Sequence, residues 1–139
     1  MLQFLFDTDH LTLFDHADVT VWRHFSNRSL GIVGISAVSV EEYLRGRLVS
    51  VARHQNGPLQ VQAYANLIDS LALFQQLPIV PFDPACENRY QQLRRLRTRV
   101  GTQDLRIAAI ALANNLILLT RNRRDFGRVP ALTLDDWSV

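Results

Sequence analysis

The 139-residue chain contains no lysine, so arginine supplies all fifteen of its positively charged side chains. This absence excludes chemistry that needs a primary amine, such as Schiff-base catalysis or the phosphate-binding lysine of a Walker loop. The single cysteine, Cys86, excludes an internal disulfide and fits a reducing cytoplasm. No apolar run approaches the roughly 18 residues that a membrane helix needs, and no basic region precedes the apolar N-terminus. Neither a membrane segment nor a signal peptide is therefore predicted.

The bulk composition is that of an ordinary soluble protein, with 47% hydrophobic and 20% charged residues. The length is close to the commonest domain size and allows a proper core. We therefore expect residues 1–139 to form a single domain. No repeat, linker or low-complexity segment divides the chain.

The formal net charge is only +2, but the arginines are unevenly distributed. They form two clusters: Arg94, Arg95, Arg97 and Arg99, then Arg121, Arg123, Arg124 and Arg128. One explanation is a genome rich in arginine codons combined with solvated helix faces. The other is a basic rim that holds nucleic acid, since the planar guanidinium suits phosphate. The composition alone leaves both explanations open.

Apolar strands alternate with helical patterns along the chain, which predicts an α/β fold with a parallel sheet and helices on both faces. Strands are predicted at 2–6, 31–35, 77–80, 116–120 and 132–134. Helices are predicted at 8–14, 19–25, 36–53 and 59–76, after the cap Asp83-Pro84, and at 103–114. The helices at 36–53 and 59–76 should form an antiparallel hairpin. Apolar periodicity predicts these inward-facing side chains: Val40, Leu44, Leu48 and Val51; Leu67, Leu71 and Phe74; Tyr90, Leu93 and Leu96.

Acidic and amide side chains follow the predicted strands, where parallel strands present their carboxyl ends to one crevice. They are Asp7, Glu42, Asp104, Asn122 and Asp125. Two carboxylates 4 Å apart repel by roughly 4 kcal/mol at an effective dielectric of 20, so several together need a counter-ion. A site rich in oxygen and without cysteine suits Mg²⁺ or Mn²⁺ better than zinc.

Each acid also has a structural explanation that the sequence leaves open. Asp7 is suited to capping the helix that follows it, and Asp104 to complementing a helix dipole. Glu42 stands three residues after Ser39, which is the spacing of a capping box, and Glu41 has equal periodicity. Asp125 is suited to a surface ion pair with its neighbouring arginines.

The remaining polar and aromatic candidates are weaker. The histidines His10, His16, His24 and His54 show no ligand spacing with one another or with acids. Trp22 and Trp137 are interpreted as packing residues. The sequence also lacks a nucleophile elbow and a phosphate-cradling glycine loop.

Five segments, taken in order, resemble PIN-domain ribonucleases of the VapC toxin type over essentially the whole chain. They are FDTD at 6–9, ISAVSVEEYLRG at 35–46, DLRIAA at 104–109, LTRNRRDF at 119–126 and VPAL at 129–132. The resemblance implies a three-layer α/β/α sandwich with a mainly parallel sheet of four to five strands. It implies a cytoplasmic endoribonuclease that uses one or two Mg²⁺ or Mn²⁺ ions and cuts RNA, with tRNA or rRNA as the expected substrate. It also implies a homodimer neutralised by a cognate VapB-like antitoxin across the hairpin at 36–76.

The resemblance assigns roles to individual residues of this chain. The family's three acids correspond to Asp7, Glu42 and Asp104, which are the expected metal ligands and catalytic residues. The fourth acid is expected at Asp125, because the usual position holds Asn122. Supporting roles are expected for Thr8, Asp9, Thr120 and Asn122, and RNA contacts for Arg121, Arg123, Arg124 and Arg95.

Two other interpretations remain possible at the level of sequence. The motif Asp7-Thr8-Asp9 also matches the Asp-x-Asp of haloacid-dehalogenase-like aspartyl phosphatases, although those enzymes need a downstream lysine. A degenerate PIN domain that only binds RNA or a partner is the non-enzymatic alternative, favoured by the altered fourth position.

Overall fold

The fold was analysed in a computed structural model that describes residues 1–29 and 31–139. The strands are β1 (Phe4–Phe6), β2 (Val33–Ser36), β3 (Ile79–Val80), β4 (Ile117–Leu119) and β5 (Leu134–Asp135). The helices are α1 (Thr8–Asp15), α2 (Val19–Ser26), α3 (Ala37–Arg53), α4 (Gly57–Phe74), α5 (Pro84–Arg95), α6 (Thr102–Ala113) and α7 (Arg123–Phe126). Within the described residues, no helix is both long and apolar enough to span a membrane.

The strands form one parallel sheet in the order β3-β2-β1-β4-β5, which confirms the predicted α/β class. β1 lies at the centre, and Phe6 at its carboxyl end pairs with Ile35 of β2 and Leu119 of β4. Successive side chains of β1 alternate between the two faces of the sheet. The carboxyl ends of β1, β2 and β4 therefore lie side by side, and the segments that follow them begin at one edge.

Two buried clusters fill the space on either side of the sheet and confirm the three-layer arrangement. Leu5 and Leu118 pack with α5 and α6 residues such as Leu93 and Ile110. On the opposite face the cluster combines residues of β1, α1, α2, α4 and the C-terminal segment: Phe4, Phe6, Phe14, Val21, Leu73 and Trp137. The middle of α6, from Ile107 to Ala111, is completely buried, and this packing positions Asp104 in the first turn of the helix.

Gly34 allows β3 to approach β2 closely at the sheet edge. A Cβ atom at this position would lie 3.1 Å from Val80 Cγ2 and 3.2 Å from the Pro78 carbonyl oxygen. Both contacts are tighter than ordinary van der Waals separation. A larger residue would therefore push β3 away from β2.

Three side chains that the periodicity placed in the core are exposed instead, and that part of the prediction is wrong. Leu48 of α3 is 57% exposed, Leu71 of α4 is 45% exposed and Leu96 is 54% exposed. Leu96 lies just beyond the last turn of α5, where the helical period no longer applies. Leu48 and Leu71 belong to the α3–α4 hairpin, whose outer side is not covered by the sheet.

The uncovered side of α3 forms a groove of about 710 Å³ that we call the hairpin groove. It is lined by Ala37, Val40, Leu44, Leu48, Val49 and Ala52, with Glu41 and Arg45 beside them. Leu59, Val61, Tyr64 and Ile68 of α4 are exposed as well. So much exposed apolar surface on two adjacent helices is typical of a protein–protein contact.

Candidate active site

Asp7 links the end of β1 to the start of α1. Its backbone N–H donates to the Leu119 carbonyl, at 3.0 Å, so the strand pairing fixes its position. Its Oδ1 accepts the backbone N–H of His10 at 2.7 Å, and the side chain is almost completely buried. Asp7 is thus the N-cap of α1, as one alternative held. That role occupies Oδ1 and leaves Oδ2 without a protein donor among the described residues.

Glu42 is tied to Asp7 through the intervening residue Thr8. The Thr8 hydroxyl donates to Glu42 Oε1 at 2.9 Å and lies 2.8 Å from Ser39 Oγ. Ser36 caps α3, because its Oγ accepts the Ser39 backbone N–H at 3.0 Å. The capping-box explanation of Glu42 with Ser39 is therefore wrong.

Glu41 points to a different part of the surface. Its carboxylate accepts a hydrogen bond from Gln103 Nε2 at 2.8 Å and forms an ion pair with Arg45 one turn along α3. The structure thus separates the two adjacent glutamates, which helical periodicity could not do.

Asp104 lines the same cavity as Asp7. The cavity measures about 470 Å³ and is lined by Asp7, Thr8, Asp9, Asp104, Arg121, Asn122 and Phe126. Burial raises the pKa of the Asp104 carboxyl, and the negative charges of Asp7, Glu42 and Asp125 raise it further. A carboxylate that merely complemented a helix dipole would have its pKa lowered, so burial and repulsion dominate at this position.

Asn122 and Asp125, the two candidates for the fourth acidic position, are hydrogen-bonded to each other. Asn122 caps α7 by accepting the Asp125 backbone N–H at 3.2 Å, and its Nδ2 donates to Asp125 Oδ2 at 3.0 Å. The Asn122 backbone N–H in turn donates to the buried Thr120 hydroxyl at 2.9 Å. Among the described residues Asp125 makes no ion pair within 4 Å, so the predicted pairing with its arginine neighbours is not observed. Asn122 lines the cavity, and Asp125 acts on Asp104 through its charge.

Asp9 is engaged by Arg121 at the rim of the cavity. Arg121 Nε and Nη2 donate to the two oxygens of Asp9, each at 2.7 Å. The Arg121 hydrogen bonds hold the pKa of Asp9 below its ordinary value. Because both of its oxygens are occupied, Asp9 is less available to a cation than Asp7 or Asp104.

The other predicted arginines are less clearly placed. Arg123 and Arg124 are exposed residues of α7, close in sequence to Asn122, and Arg95 is exposed at the last turn of α5. Among the described contacts, none of the three touches an acid of the cavity. The structure therefore brings Arg121 to the site and leaves the rest on the surrounding surface.

The sequence interpretation missed His10, which it set aside for lack of ligand spacing. His10 is fully buried, and its Nδ1 lies 3.5 Å from Asp7 Oδ1. Donor atoms of Asp7, Asp9 and His10 lie within 4.8 Å of one another. The separation of three residues from Asp7, within a helix that Asp7 itself caps, was the available signal.

The donors in this cavity fit a hard divalent cation. Asp7 and Asp104 carry buried or half-buried carboxylates, and Glu42 reaches the same edge through Thr8. Cysteine is absent from the cavity lining, and carboxylate oxygens are the ligands that Mg²⁺ and Mn²⁺ favour. Burial first, and then the negative charges of Asp7, Glu42 and Asp125, raise the pKa of Asp104, and a bound cation would offset both effects.

The amino-acid sequence is similar to those of two ribonucleases of known name. The ribonuclease VapC2 of Rickettsia felis is 38% identical over 66 residues, which is 45% of this chain and 49% of that protein. The tRNA(fMet)-specific endonuclease VapC of Shigella flexneri is 28% identical over 142 aligned residues, covering 99% of this chain and all of the relative. The Rickettsia match thus spans about half the length of that relative, whereas the Shigella match is full-length.

Solved structures share the fold. The crystal structure of DNA-bound VapBC from Salmonella typhimurium superposes with a TM-score of 0.81 at 23% identity, covering 99% of both chains. The crystal structure of VapBC2 from Rickettsia felis, bound to a promoter DNA fragment, superposes with a TM-score of 0.75 at 23% identity. The superposition covers 98% of this chain and 99% of the Rickettsia chain. The family model described as the PIN domain matches residues 6–132. The chain therefore belongs to the PIN-domain family.

Proposed function

We propose that this protein is a metal-dependent endoribonuclease that acts as the toxin of a type II toxin–antitoxin pair. The observation that carries the proposal is the convergence of acids at one edge of the parallel sheet. Asp7 and Asp104 line one cavity, and the Thr8 hydroxyl connects Glu42 to it. Three acids from distant parts of the chain thus lie along the sheet edge where open α/β folds place their functional sites.

Asp7, Glu42 and Asp104 would hold one or two Mg²⁺ or Mn²⁺ ions, with Asp125 as the fourth acid and Asn122 beside it. When bound, the ion lowers the pKa of water for attack on phosphorus and stabilises negative charge on the departing oxygen. The protein contributes geometry. Thr8 holds Glu42, and Thr120 holds the backbone of Asn122. Phe126, which is buried, forms an apolar wall of the cavity.

We propose that the arginines around the cavity bind the phosphate backbone of the RNA. Arg121 already lies at its rim, and Arg123, Arg124 and Arg95 extend the positive surface beyond it. An open cavity at a sheet edge admits a splayed single strand more readily than a duplex. Structured RNAs with exposed loops, such as tRNA or rRNA, are therefore the proposed substrates, and a relative named for tRNA(fMet) supports that class.

We place the antitoxin on the hairpin groove. The groove is apolar, is bordered by Glu41 and Arg45, and lies on the helix that carries Glu42. A small VapB-like antitoxin that covered it would approach the acids from α3. Similar folds occur in structures titled as VapBC complexes, which supports this kind of partner. We further propose that residues 1–139 act as one domain, in a cytoplasmic homodimer.

The aspartyl phosphatase alternative loses its main support. Its second aspartate would be Asp9, but Arg121 occupies both oxygens of that side chain. Membership of the PIN family further disfavours it. The other alternative, a degenerate PIN domain that only binds RNA or a partner, is tested by the cleavage assay described next.

The test is cleavage of a tRNA and rRNA pool by the purified protein in EDTA and in Mg²⁺ or Mn²⁺. We expect metal-dependent fragments from the wild type. Asp7→Asn and Asp104→Asn should lose at least about 100-fold in rate, since even indirect partners of metal ligands contribute 10–100-fold. Asp69→Asn, on the exposed face of α4, is the control with the same charge change. Retarded but intact RNA with the wild type would support the binding-only alternative instead.

A further inference from the structure

His10 is completely buried yet lies between two carboxylates and a backbone amide. Its Nε2 accepts the Trp137 backbone N–H at 3.1 Å, and its Nδ1 has no hydrogen-bond partner among the described residues. The oxygen near Nδ1 is Asp7 Oδ1, at 3.5 Å. A buried polar atom without a partner is unusual and calls for an explanation.

The contact with Trp137 fixes which ring nitrogen carries the proton. A backbone N–H has a hydrogen in a fixed position, so the Nε2 that accepts it cannot also be protonated along that direction. Asp136 Oδ1 lies 3.4 Å from Nε2 as well, but it already accepts hydrogen bonds from the Ser138 amide and hydroxyl at 2.8 and 2.6 Å. In the neutral ring the proton is therefore on Nδ1, facing Asp7.

We propose that His10 is a positioning residue for Asp7: its Nδ1–H, together with its own backbone N–H, holds Asp7 Oδ1 and directs the remaining oxygen to the metal. The inference deepens the proposed metal-dependent function and rests on it. The backbone N–H already donates to Oδ1 at 2.7 Å, so a contraction of about 0.6 Å by the ring would complete a two-donor clamp. Groups that orient metal-bound carboxylates in this way are typical of metal sites.

The same geometry argues against His10 as a metal ligand, although Asp7, Asp9 and His10 lie close enough to suggest one. A ligating Nδ1 must be unprotonated. The proton would then have to reside on Nε2, directly against the Trp137 N–H. Trp137 is itself locked by packing on Phe4 and Phe6, so its backbone cannot turn away easily.

The first test observes the wild-type protein without metal or RNA. In ¹⁵N-histidine-labelled protein, long-range ¹H–¹⁵N correlations distinguish a protonated from an unprotonated ring nitrogen, and the His10 signals are identified by their loss in His10→Gln. We expect the Nδ1–H form. An Nε2–H form would overturn the proposal. This readout is independent of ribonuclease activity, so failure to cleave RNA would count against the proposed function and leave the tautomer result intact.

The second test uses two substitutions, each of which retains one of the two hydrogen-bonding functions of the imidazole. The amide of His10→Asn places an N–H near Nδ1, whereas His10→Gln places an acceptor near Nε2. Mn²⁺ affinity, measured by electron paramagnetic resonance, should fall 10–100-fold in His10→Gln and stay within about threefold of wild type in His10→Asn. Melting temperature should show the reverse order, with His10→Asn lower by about 5 °C because the Trp137 N–H loses its acceptor.

Two results would contradict the assignment. One is a His10→Gln protein that binds Mn²⁺ as tightly as the wild type. The other is a directly coordinated imidazole nitrogen, visible as strong ¹⁴N coupling to bound Mn²⁺ in the wild type and absent in His10→Gln.

Discussion

Arg121 and Asp9 form a two-point ion pair at the rim of the acidic cavity, with both N–O distances at 2.7 Å. Nε and Nη2 are used in this pair, which leaves Nη1 free to meet a phosphate of the substrate. Asp9 therefore fixes the orientation of Arg121 without removing it from the substrate path. An arginine held in this way keeps its charge near Asp7 and Asp104 but is restrained from pairing with either of them.

Arg121→Gln should weaken RNA binding and reduce the slope of log affinity against log salt by about 0.7, the loss of one single-strand phosphate contact. Fluorescence anisotropy with a labelled tRNA loop, in EDTA so that cleavage does not occur, measures both quantities. Arg53→Gln, at the far end of α3, is the control with the same charge change.

The double variant Asp9→Asn/Arg121→Gln separates two causes of weaker binding. If freed Asp9 repels the RNA, the double variant should recover affinity. If Arg121 binds phosphate directly, the double variant should remain as weak as Arg121→Gln, and an unchanged salt slope in either protein would contradict a phosphate contact.

Asp104→Asn should make the metal-free protein more stable at neutral pH. The pKa of Asp104 in the folded protein is raised above its ordinary value of 3.8, first by burial and then by the neighbouring acids. The folded state therefore binds this proton more tightly than the unfolded chain, so stability falls as the pH rises from the unfolded pKa through the folded one. Urea unfolding in EDTA should show the greatest gain for the variant at pH 7 and no gain below about pH 3.5.

Divalent ions provide the complementary measurement for Asp104. Mg²⁺ or Mn²⁺ should raise the melting temperature of the wild type by binding its folded state, and should raise that of Asp104→Asn much less. Asp69→Asn should behave as the wild type in both experiments. Equal stabilisation of wild type and Asp104→Asn by the metal would remove Asp104 from the ligand set.

Thr8→Val should loosen Glu42 while preserving the shape of the side chain. The variant loses the hydroxyl that donates to Glu42 Oε1 at 2.9 Å. We expect a 10–100-fold loss of metal affinity or cleavage rate, with a stability loss of about 1 kcal/mol. Thr8→Ser retains the hydroxyl and is the matched control. A Thr8→Val protein with wild-type metal affinity would show that Glu42 needs no such support.

Asp125→Asn should impair metal binding less than Asp104→Asn. Asp125 influences Asp104 through its charge, and its Oδ2 is occupied by Asn122 Nδ2 at 3.0 Å. We expect a roughly tenfold loss of Mn²⁺ affinity, the lower end of the range for a residue that acts through a ligand. Isothermal titration of both variants compares them directly. A larger loss in Asp125→Asn than in Asp104→Asn would instead make Asp125 a direct ligand.

The fold class and the placement of the main acids followed from sequence because they depend on short-range rules. A charged residue marks the end of a buried apolar strand, and parallel strands have their carboxyl ends at a common edge. These two rules located Asp7 and Asp104. The PIN family and the parallel sheet are confirmed, whereas the roles assigned to individual site residues stay predictions. Glu42 was separated from Glu41 by family resemblance, since adjacent residues on one helix differ too little in periodicity.

The features that sequence did not predict depend on tertiary contacts. The orientation of the His10 ring depends on a hydrogen bond from the Trp137 backbone N–H. Trp137 is far away in the sequence, and no local sequence pattern connects the two residues. The capping box suggested by Ser39 and Glu42 does not form, because Ser36 at the end of β2 caps α3 and accepts the Ser39 backbone N–H. Leu48 and Leu71 have the period of core residues, but periodicity cannot reveal whether a helix face meets the sheet or another protein.

The central position of β1 has a consequence during protein synthesis. Asp7 is synthesised well before α6, which carries Asp104, and before β4, which pairs with β1 on one side. Such long-range pairing forms late in folding. A chain in which these pairings have not yet formed therefore carries separated carboxylates, and the acidic cavity is complete only once β4 has paired with β1 and α6 has packed on the sheet.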